Sequence, residues 1–243
     1  MTLITVKSPS GVDILKVLRG RKKKTVKMFL QSIPKKLRKT VTAVCSDMYS
    51  GFIYSVVEVF KSNKILVLDR FHVAQSYRKI IDRVRKKEMK RLKNSLTKSQ
   101  YNELQNVMWI LRKKSENLDD SEQKTLVRLF YHSPLLKKIY ELCQSLTEFF
   151  NSKITRSEAK QKIKRWIQKT RKKDITYFTT FIKTLEKYLE YILNYFSNRY
   201  NSGFVEGFNG KVKALIRRCY GIHNAKTLFK RVYLELHYEE LCA

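Results

Sequence analysis

The sequence predicts an α/β protein with a short strand-and-helix opening, a long all-helical middle, and closing helices that complete the core of the opening. Three observations carry this. Apolar β-branched runs alternate with helical stripes from Leu3 to Leu68, seven glycines and three prolines leave a long middle with few breakers, and the closing segment holds two amphipathic stripes. With 43% apolar and 12% aromatic residues among 243, the chain can fill a core of one large domain, or of a small one with a sizeable insertion.

The elements follow in order. Leu3–Val6 and Val12–Leu18 flank the turn Ser8-Pro9-Ser10-Gly11 and have hairpin character. Val26, Phe29, Leu30 and Ile33 recur at helical spacing before Pro34, and Val41–Cys45 is a short β-branched run. Ile53, Val56, Val57 and Phe60 stripe a helix over Ser50–Phe60, and Ile65–Leu68 is a continuous apolar strand that stops at Asp69. The order β-β-α-β-α-β implies a parallel sheet segment covered on both faces. From His72 to Arg199 the pattern is helical throughout, with stripes such as Leu126, Leu129, Phe130 and Leu135, Leu136, Ile139; four to six helices are expected there as an insertion. Ser121, and Thr155 with Glu158 three positions on, are the expected helix N-caps. A helix over Gly203–Arg217, a turn at Tyr220-Gly221 and a last helix capped by Asn224 close the chain. The expected domains are therefore 1–70 (the first part of a core), 71–199 (a helical insertion) and 200–243 (helices completing the core).

Lysine plus arginine number 52 against 21 acids, a formal charge of +31 that repels itself in a compact state unless a polyanion neutralises it. Nucleic acid is the expected partner. A membrane is not, because no apolar run approaches the roughly 20 residues that a spanning helix needs, and Leu3–Val6 is too short for a secretory signal. The chain is accordingly expected in the cytoplasm. Cys45, Cys143, Cys219 and Cys242 lie far apart without a C-x-x-C pair, so they read as reduced thiols rather than as a disulfide framework or a zinc site.

Two aspartates stand immediately past expected parallel strands, Asp47 after Val41–Cys45 and Asp69 after Ile65–Leu68, and α/β sheets place their sites at such carboxyl ends. The same residues would equally serve as caps of the following helices. Glu206 is a third candidate. It lies one step, about 100°, off the apolar stripe Val205, Phe208, Val212, Leu215, with Asn209 three residues on and Lys213 and Arg217 along its own face. A carboxylate beside a line of cations suits a metal ion and a phosphate backbone held together, although a surface glutamate in ion pairs reads the same way. Phosphodiester chemistry by two divalent ions about 4 Å apart needs such hard oxygen ligands, because Mg²⁺ prefers carboxylate and water.

Asp47-Met48-Tyr49, Asp69-Arg70-Phe71-His72-Val73, and Val205-Glu206-Gly207-Phe208-Asn209-Gly210-Lys211-Val212-Lys213 with Arg217-Arg218-Cys219-Tyr220-Gly221 resemble the bacterial insertion-sequence transposases of the ISL3 family. With Gly20-Arg21 after the hairpin, the resemblance spans nearly the whole chain. It implies an RNase-H-like fold with a large all-α insertion, and a DDE site in which Asp47 is the second carboxylate and Glu206 the third, holding two Mg²⁺ or Mn²⁺ ions. Asp69, His72 and Asn209 would support that site, and Arg70, Lys211, Lys213, Arg217 and Arg218 would bind DNA. The family's first Asp should stand on a strand before Leu3, one that normally lies inside the sheet. Asp13, the only early acid, falls where the family's third strand is not catalytic.

What the resemblance implies of function is metal-dependent hydrolysis of a phosphodiester at the end of a DNA element, followed by attack of the freed 3′-hydroxyl on target DNA. With two of three carboxylates, this chain is expected to be an N-terminally truncated catalytic fragment, inactive alone. The competing expectation is a non-specific DNA-binding protein, or an inhibitor that associates with full-length transposase or with itself. A basic RNA-binding helical protein using Trp109 and Trp166 as stacking platforms is a third.

Overall fold

The computed structural model describes every residue except Ser10, Lys64, Lys173, Asp174, Ser202, Ile222, His223 and residues 239–243, and every described side chain except those of Phe204, Val205 and Glu206. In chain order the elements are strands β1 (Thr2–Ser8) and β2 (Gly11–Leu18), helices α1 (Lys23–Ser32) and α2 (Lys35–Thr40), strand β3 (Val44–Ser46), helix α3 (Ser50–Phe60) and strand β4 (Leu66–Leu68). Then come α4 (Arg70–Ser95), α5 (Lys98–Asn102), α6 (Val107–Ile110), α7 (Asp120–His132), α8 (Pro134–Asn151), α9 (Arg156–Lys172), α10 (Thr179–Lys187), α11 (Leu189–Leu193), α12 (Tyr195–Asn198), α13 (Gly203–Arg218) and α14 (Ala225–Leu236). The chain forms two compact units, Met1–Asp69 with Asn198–Ala243, and Arg70–Ser197.

In the first unit the strands form two separate two-stranded sheets. β1 and β2 are antiparallel from Thr2↔Leu18 to Ser8↔Gly11, with a register shift between Ile4 and Thr5. Gly11 closes the hairpin at φ +139°, a conformation open to glycine and strained for any side chain. Ile14 and Val17 of β2 pack into one core with Phe208, Val212 and Leu215 of α13 and with Ala225, Leu228 and Val232 of α14. The helix N-cap at Asn224 forms as the sequence indicates, its Oδ1 accepting from the backbone N–H of Lys226 at 2.9 Å. β3 and β4 pair in parallel, Val44↔Leu66, Cys45↔Val67 and Ser46↔Leu68. β4 is fully buried, which is why it reads as a continuous apolar run, and α3 packs on both strands. α1 packs on α3: Val26 and Leu30 of α1 and Ile53 and Val56 of α3 are buried, and Glu58 takes the ammonium groups of both Lys23 and Lys27.

The second unit is all helical among its described residues. The 26-residue α4 packs along α8, burying Val73, Tyr77, Ile80, Ile81, Val84 and Leu92, and the Tyr77 hydroxyl lies 3.0 Å from the Thr147 hydroxyl. Trp166 is core rather than a stacking platform. Its indole N–H donates to Ser145 Oγ at 3.0 Å, and its ring meets those of Phe178 and Phe181 edge-on at 5.6 and 6.2 Å. Trp109, by contrast, is exposed, with the Arg112 guanidinium 5.4 Å from its ring. The cap of α9 is the expected pair, Thr155 N–H donating to Glu158 Oε2 at 2.8 Å. The cap of α7 is not Ser121. Asp119 takes that place, accepting from Glu122 N–H at 2.9 Å while Glu122 reaches back to Asp119 N–H, and Ser121 spends its hydroxyl on Asp119. A carboxylate two residues earlier, with a glutamate three positions on, makes the stronger capping box.

One buried acid ties this unit together. Glu88, 7% exposed on α4, accepts from Arg91 at 2.8 Å and from the hydroxyl of Ser133 at 2.6 Å, and Ser133 Oγ in turn caps α8 by accepting from Leu136 N–H at 3.3 Å. Burial pushes the Glu88 carboxyl up, but the hydrogen bonds from Arg91 and Ser133 outweigh it and hold the group below the usual glutamate range. A depressed folded-state value gives stability that is present above the unfolded pKa, about 4.3 for glutamate, and is lost as pH falls through the folded value. Glu88→Gln should therefore lower the urea midpoint at pH 7 and lose less than the parent does between pH 5 and pH 3, the pH range being an order-of-magnitude choice around that pKa. Parallel losses in the two proteins would remove Glu88 as an acid-sensitive tie.

Candidate active site

The carboxyl ends of β3 and β4 bring two aspartates to one edge of one sheet. The last pair of the ladder is Ser46↔Leu68, so Asp47 and Asp69 are the next residue on each strand, and Asp69 N–H donates to Ser46 C=O at 3.0 Å. Their surroundings differ. Asp47 is exposed, whereas Asp69 is 2% exposed. After Asp47 the chain turns into α3, with Tyr49 N–H donating to Asp47 C=O at 2.7 Å. The Tyr49 ring meets Phe52 edge-on at 5.1 Å and takes the Arg21 guanidinium at 4.8 Å. Gly51 makes room for that ring, since a Cβ there would come within 2.5 Å of Tyr49 Cε1.

Cys45 lies one pair back on the ladder. Burial, and after it the negative charge of Asp69, push its thiol up to about 11. Period-two alternation puts Asp69 on the face of Val67, which is paired with Cys45, so the charge and the thiol share one side of the sheet.

The other carboxylates are placed as follows. Glu206 lies on the backbone of α13, and its side chain falls outside the described residues. On the same helix Phe208, Val212 and Leu215 are buried at 9, 9 and 3% exposure, Asn209 is half-buried, and Lys211, Lys213, Arg217 and Arg218 are exposed. Arg218 is ion-paired with Glu235 of α14 at 2.6 Å. α13 ends in left-handed backbone, Tyr220 at φ 52° and Gly221 at φ 89°, with Gly221 N–H returned to Ile216 C=O at 2.9 Å. Asp13 is tied at home: it accepts from the N–H of Ile14 at 2.6 Å and lies 3.2 Å from His237 Nε2, at the end of α14.

Arg70 and His72 begin α4 and belong to the second unit, whereas Asp69 ends the first. Arg70 is engaged within its own unit, its Nη1 donating to Asn151 Oδ1 at 3.0 Å and its guanidinium lying 5.7 Å from the Tyr195 ring. His72 is half-buried, and its carbonyl accepts from the Ser76 hydroxyl at 2.9 Å. Reasoning from sequence missed the roles of Arg21, Cys45 and His237. Each acts through a neighbour distant in the chain, and no local spacing announces such contacts.

Aspartate oxygens are the hard donors that Mg²⁺ or Mn²⁺ take. Among the described residues no group of three histidine, cysteine or acidic side chains is gathered closely enough to hold a metal ion, and no helix is long and apolar enough to cross a membrane.

A family model described as Transposase, of the ISL3 group of DDE transposases, matches residues 1–232. A curated relative, the transposase for insertion sequence element IS1001 of Bordetella parapertussis, is 26% identical over 228 residues, which cover 93% of this chain and 55% of that protein. The chain thus spans about half the length of the curated relative it matches. No solved structure matches it.

The Cys45–Asp69 pairing can be tested directly. In folded protein at pH 8 the Cys45 thiol should stay protonated and resist iodoacetamide, read by peptide mass spectrometry, since its pKa stands at about 11. Asp69→Asn removes the neighbouring charge and should speed the labelling, while burial keeps the site slower than a free thiol of pKa about 8.5. Labelling unchanged by Asp69→Asn would place that charge elsewhere.

Proposed function

Because this chain belongs to the ISL3 family of DDE transposases, we propose that it acts on DNA as a transposase catalytic region and supplies two of the three metal-binding carboxylates, Asp47 and Glu206. The single observation that carries this is the parallel pair β3–β4, which ends in Asp47 on an accessible edge, in the order of elements that the family motifs require. On this reading the four strands belong to an RNase-H-like sheet. Neither of the two opening strands offers the family's first carboxylate on this reading. β1 has no acid, and Asp13, the one acid of β2, is already held by His237 and by the N–H of Ile14.

Two divalent ions, when bound, would activate the attacking oxygen and steady the leaving one. The protein groups then have separate tasks. Asp47 and Glu206 hold the ions, Asp69 and Asn209 brace that edge, and Lys211, Lys213 and Arg217, exposed on α13, hold the strand being cut. The substrate is a phosphodiester at the end of the DNA element and the acceptor is target DNA. A second reading, DNA binding without cutting, is favoured by one observation, the +31 charge, and describes the chain wherever the third carboxylate is not supplied.

Purified chain with Mn²⁺ and supercoiled plasmid should leave the plasmid intact. A version extended upstream by an Asp-bearing strand should nick it, and Asp47→Ala or Glu206→Ala in that version should each cost more than the roughly 10- to 100-fold typical of outer-shell changes at metal sites. If the unextended chain nicks and both substitutions abolish it, a third carboxylate within residues 1–243 completes the site and the division proposed here is wrong.

A further inference from the structure

The opposite faces of α4 carry opposite chemistry. Val73, Tyr77, Ile80, Ile81, Val84 and Leu92 are buried along one line, all at 6% exposure or less. At about 100° per residue, Lys79, Arg83, Lys86, Lys90 and Lys93 fall within about 80° of one another on the other side, a row about 21 Å long. All five are exposed, and none forms an ion pair with a described residue. The two acids of the helix are spent elsewhere. Asp82 takes Arg85 at 3.1 Å and Arg112 at 3.3 Å, and Glu88 is buried against Arg91 and Ser133.

Like charges at i,i+3 and i,i+4 oppose helix formation, so five in register are a liability unless an anion covers them. α9 offers a comparison within the same unit. Its Arg156 and Lys160 are shared with Glu190 and its Arg171 is paired with Glu186, while Lys162, Arg165, Lys169 and Lys172 form a shorter exposed row of four, about 15 Å long, so α4 carries the longer of the two unanswered rows.

We propose that the exposed row Lys79, Arg83, Lys86, Lys90 and Lys93 of α4 is a binding site for the phosphate backbone of duplex DNA. The inference rests on the DNA-acting reading above and deepens it, by assigning a DNA-holding surface to the helical unit. Extended double-stranded DNA carries one charge per about 1.7 Å of axis, so a straight cationic row of this length meets a dense line of phosphates. Lysine-rich rows touch phosphate rather than base edges, so the site holds any sequence alike.

The test is equilibrium binding of the full chain to a mixed-sequence 30-base-pair duplex, about three turns, in EDTA at several salt concentrations. Changing all five residues to Gln should flatten the slope of log K against log salt by up to about 4.5, near 0.9 for each phosphate no longer neutralised. A control with Lys162, Lys164, Arg165, Lys169 and Lys172 of α9 changed to Gln removes the same charge and should flatten the slope clearly less than the α4 set does. Lys79, Lys86, Lys90 and Lys93 all changed to Arg should keep the parent slope, and matching thermal melts show that each variant folds. Equal losses in the α4 and α9 sets overturn the proposal, since binding would then follow overall charge. A larger effect of the α4 set on an RNA duplex than on DNA overturns it as well. EDTA excludes metal-dependent cutting, so a failed nicking assay leaves this inference standing, and absence of an α4 effect leaves the carboxylate assignment standing.

Discussion

The parallel pairing of Val44–Ser46 with Leu66–Leu68 governs what the acid edge can be, because side chains alternate along a strand with period two and a slip of one residue turns each to the other face. Two backbone bonds bracket the register, Val44 N–H to Ile65 C=O at 2.8 Å and Asp69 N–H to Ser46 C=O at 3.0 Å. The complete burial of β4 leaves it one way to face, and α3 packs over both strands. From this register follow the adjacency of Asp47 and Asp69 along the edge, the influence of Asp69 on the Cys45 thiol, and the turn that brings Tyr49 to Arg21.

Charge is the second constraint. With 52 basic groups and 21 acidic ones, few acids are left to temper the surface, and many serve inside the fold. Glu58 clasps two lysines of α1, Glu190 takes Arg156 and Lys160, Glu186 takes Arg171, and Glu235 takes Arg218. Exposed pairs of this kind add little stability. Their larger effect is on the field: cations paired with an acid are muted, and exposed ones that pair with no described residue, such as the row on α4, keep theirs.

The hairpin strands, β4, α3, α13 and α14 were legible in the sequence because burial enforces their patterns, whereas β3 starts at Val44 rather than Val41 and the helical middle divides, among the described residues, into nine α-helices rather than four to six. β4 reads as an unbroken apolar run, α13 as Phe208, Val212 and Leu215, and α9 and α14 announce their starts at Thr155 and Asn224. α2 was not legible, for Lys35–Thr40 buries no residue and so leaves no stripe. Ser121 was read as a cap because hydroxyls favour that position, but Asp119 with Glu122 competes better for the same N–H groups. Nor does the sequence say that the strands part into two sheets, since pairing depends on partners far along the chain. At the candidate site the strand-end positions of Asp47 and Asp69 could be read from local pattern, whereas the hold on Asp13 by His237, from the far end of the chain, could not.

The two edge carboxylates are alike in chemistry and unlike in access, and that difference bears on their tasks. A hydrated divalent ion must shed water against its ligand, and Mg²⁺ keeps most of its shell, so the ligand needs room for the ion and for several waters. Asp47, exposed where the chain leaves β3, has that room; Asp69, at 2% exposure, does not. A buried carboxylate is retained where its bonds orient neighbours, because an unsatisfied charge out of water is costly. The proposed division follows from that contrast: Asp47 would face the metal, and Asp69 would brace the neighbouring strand end beside it.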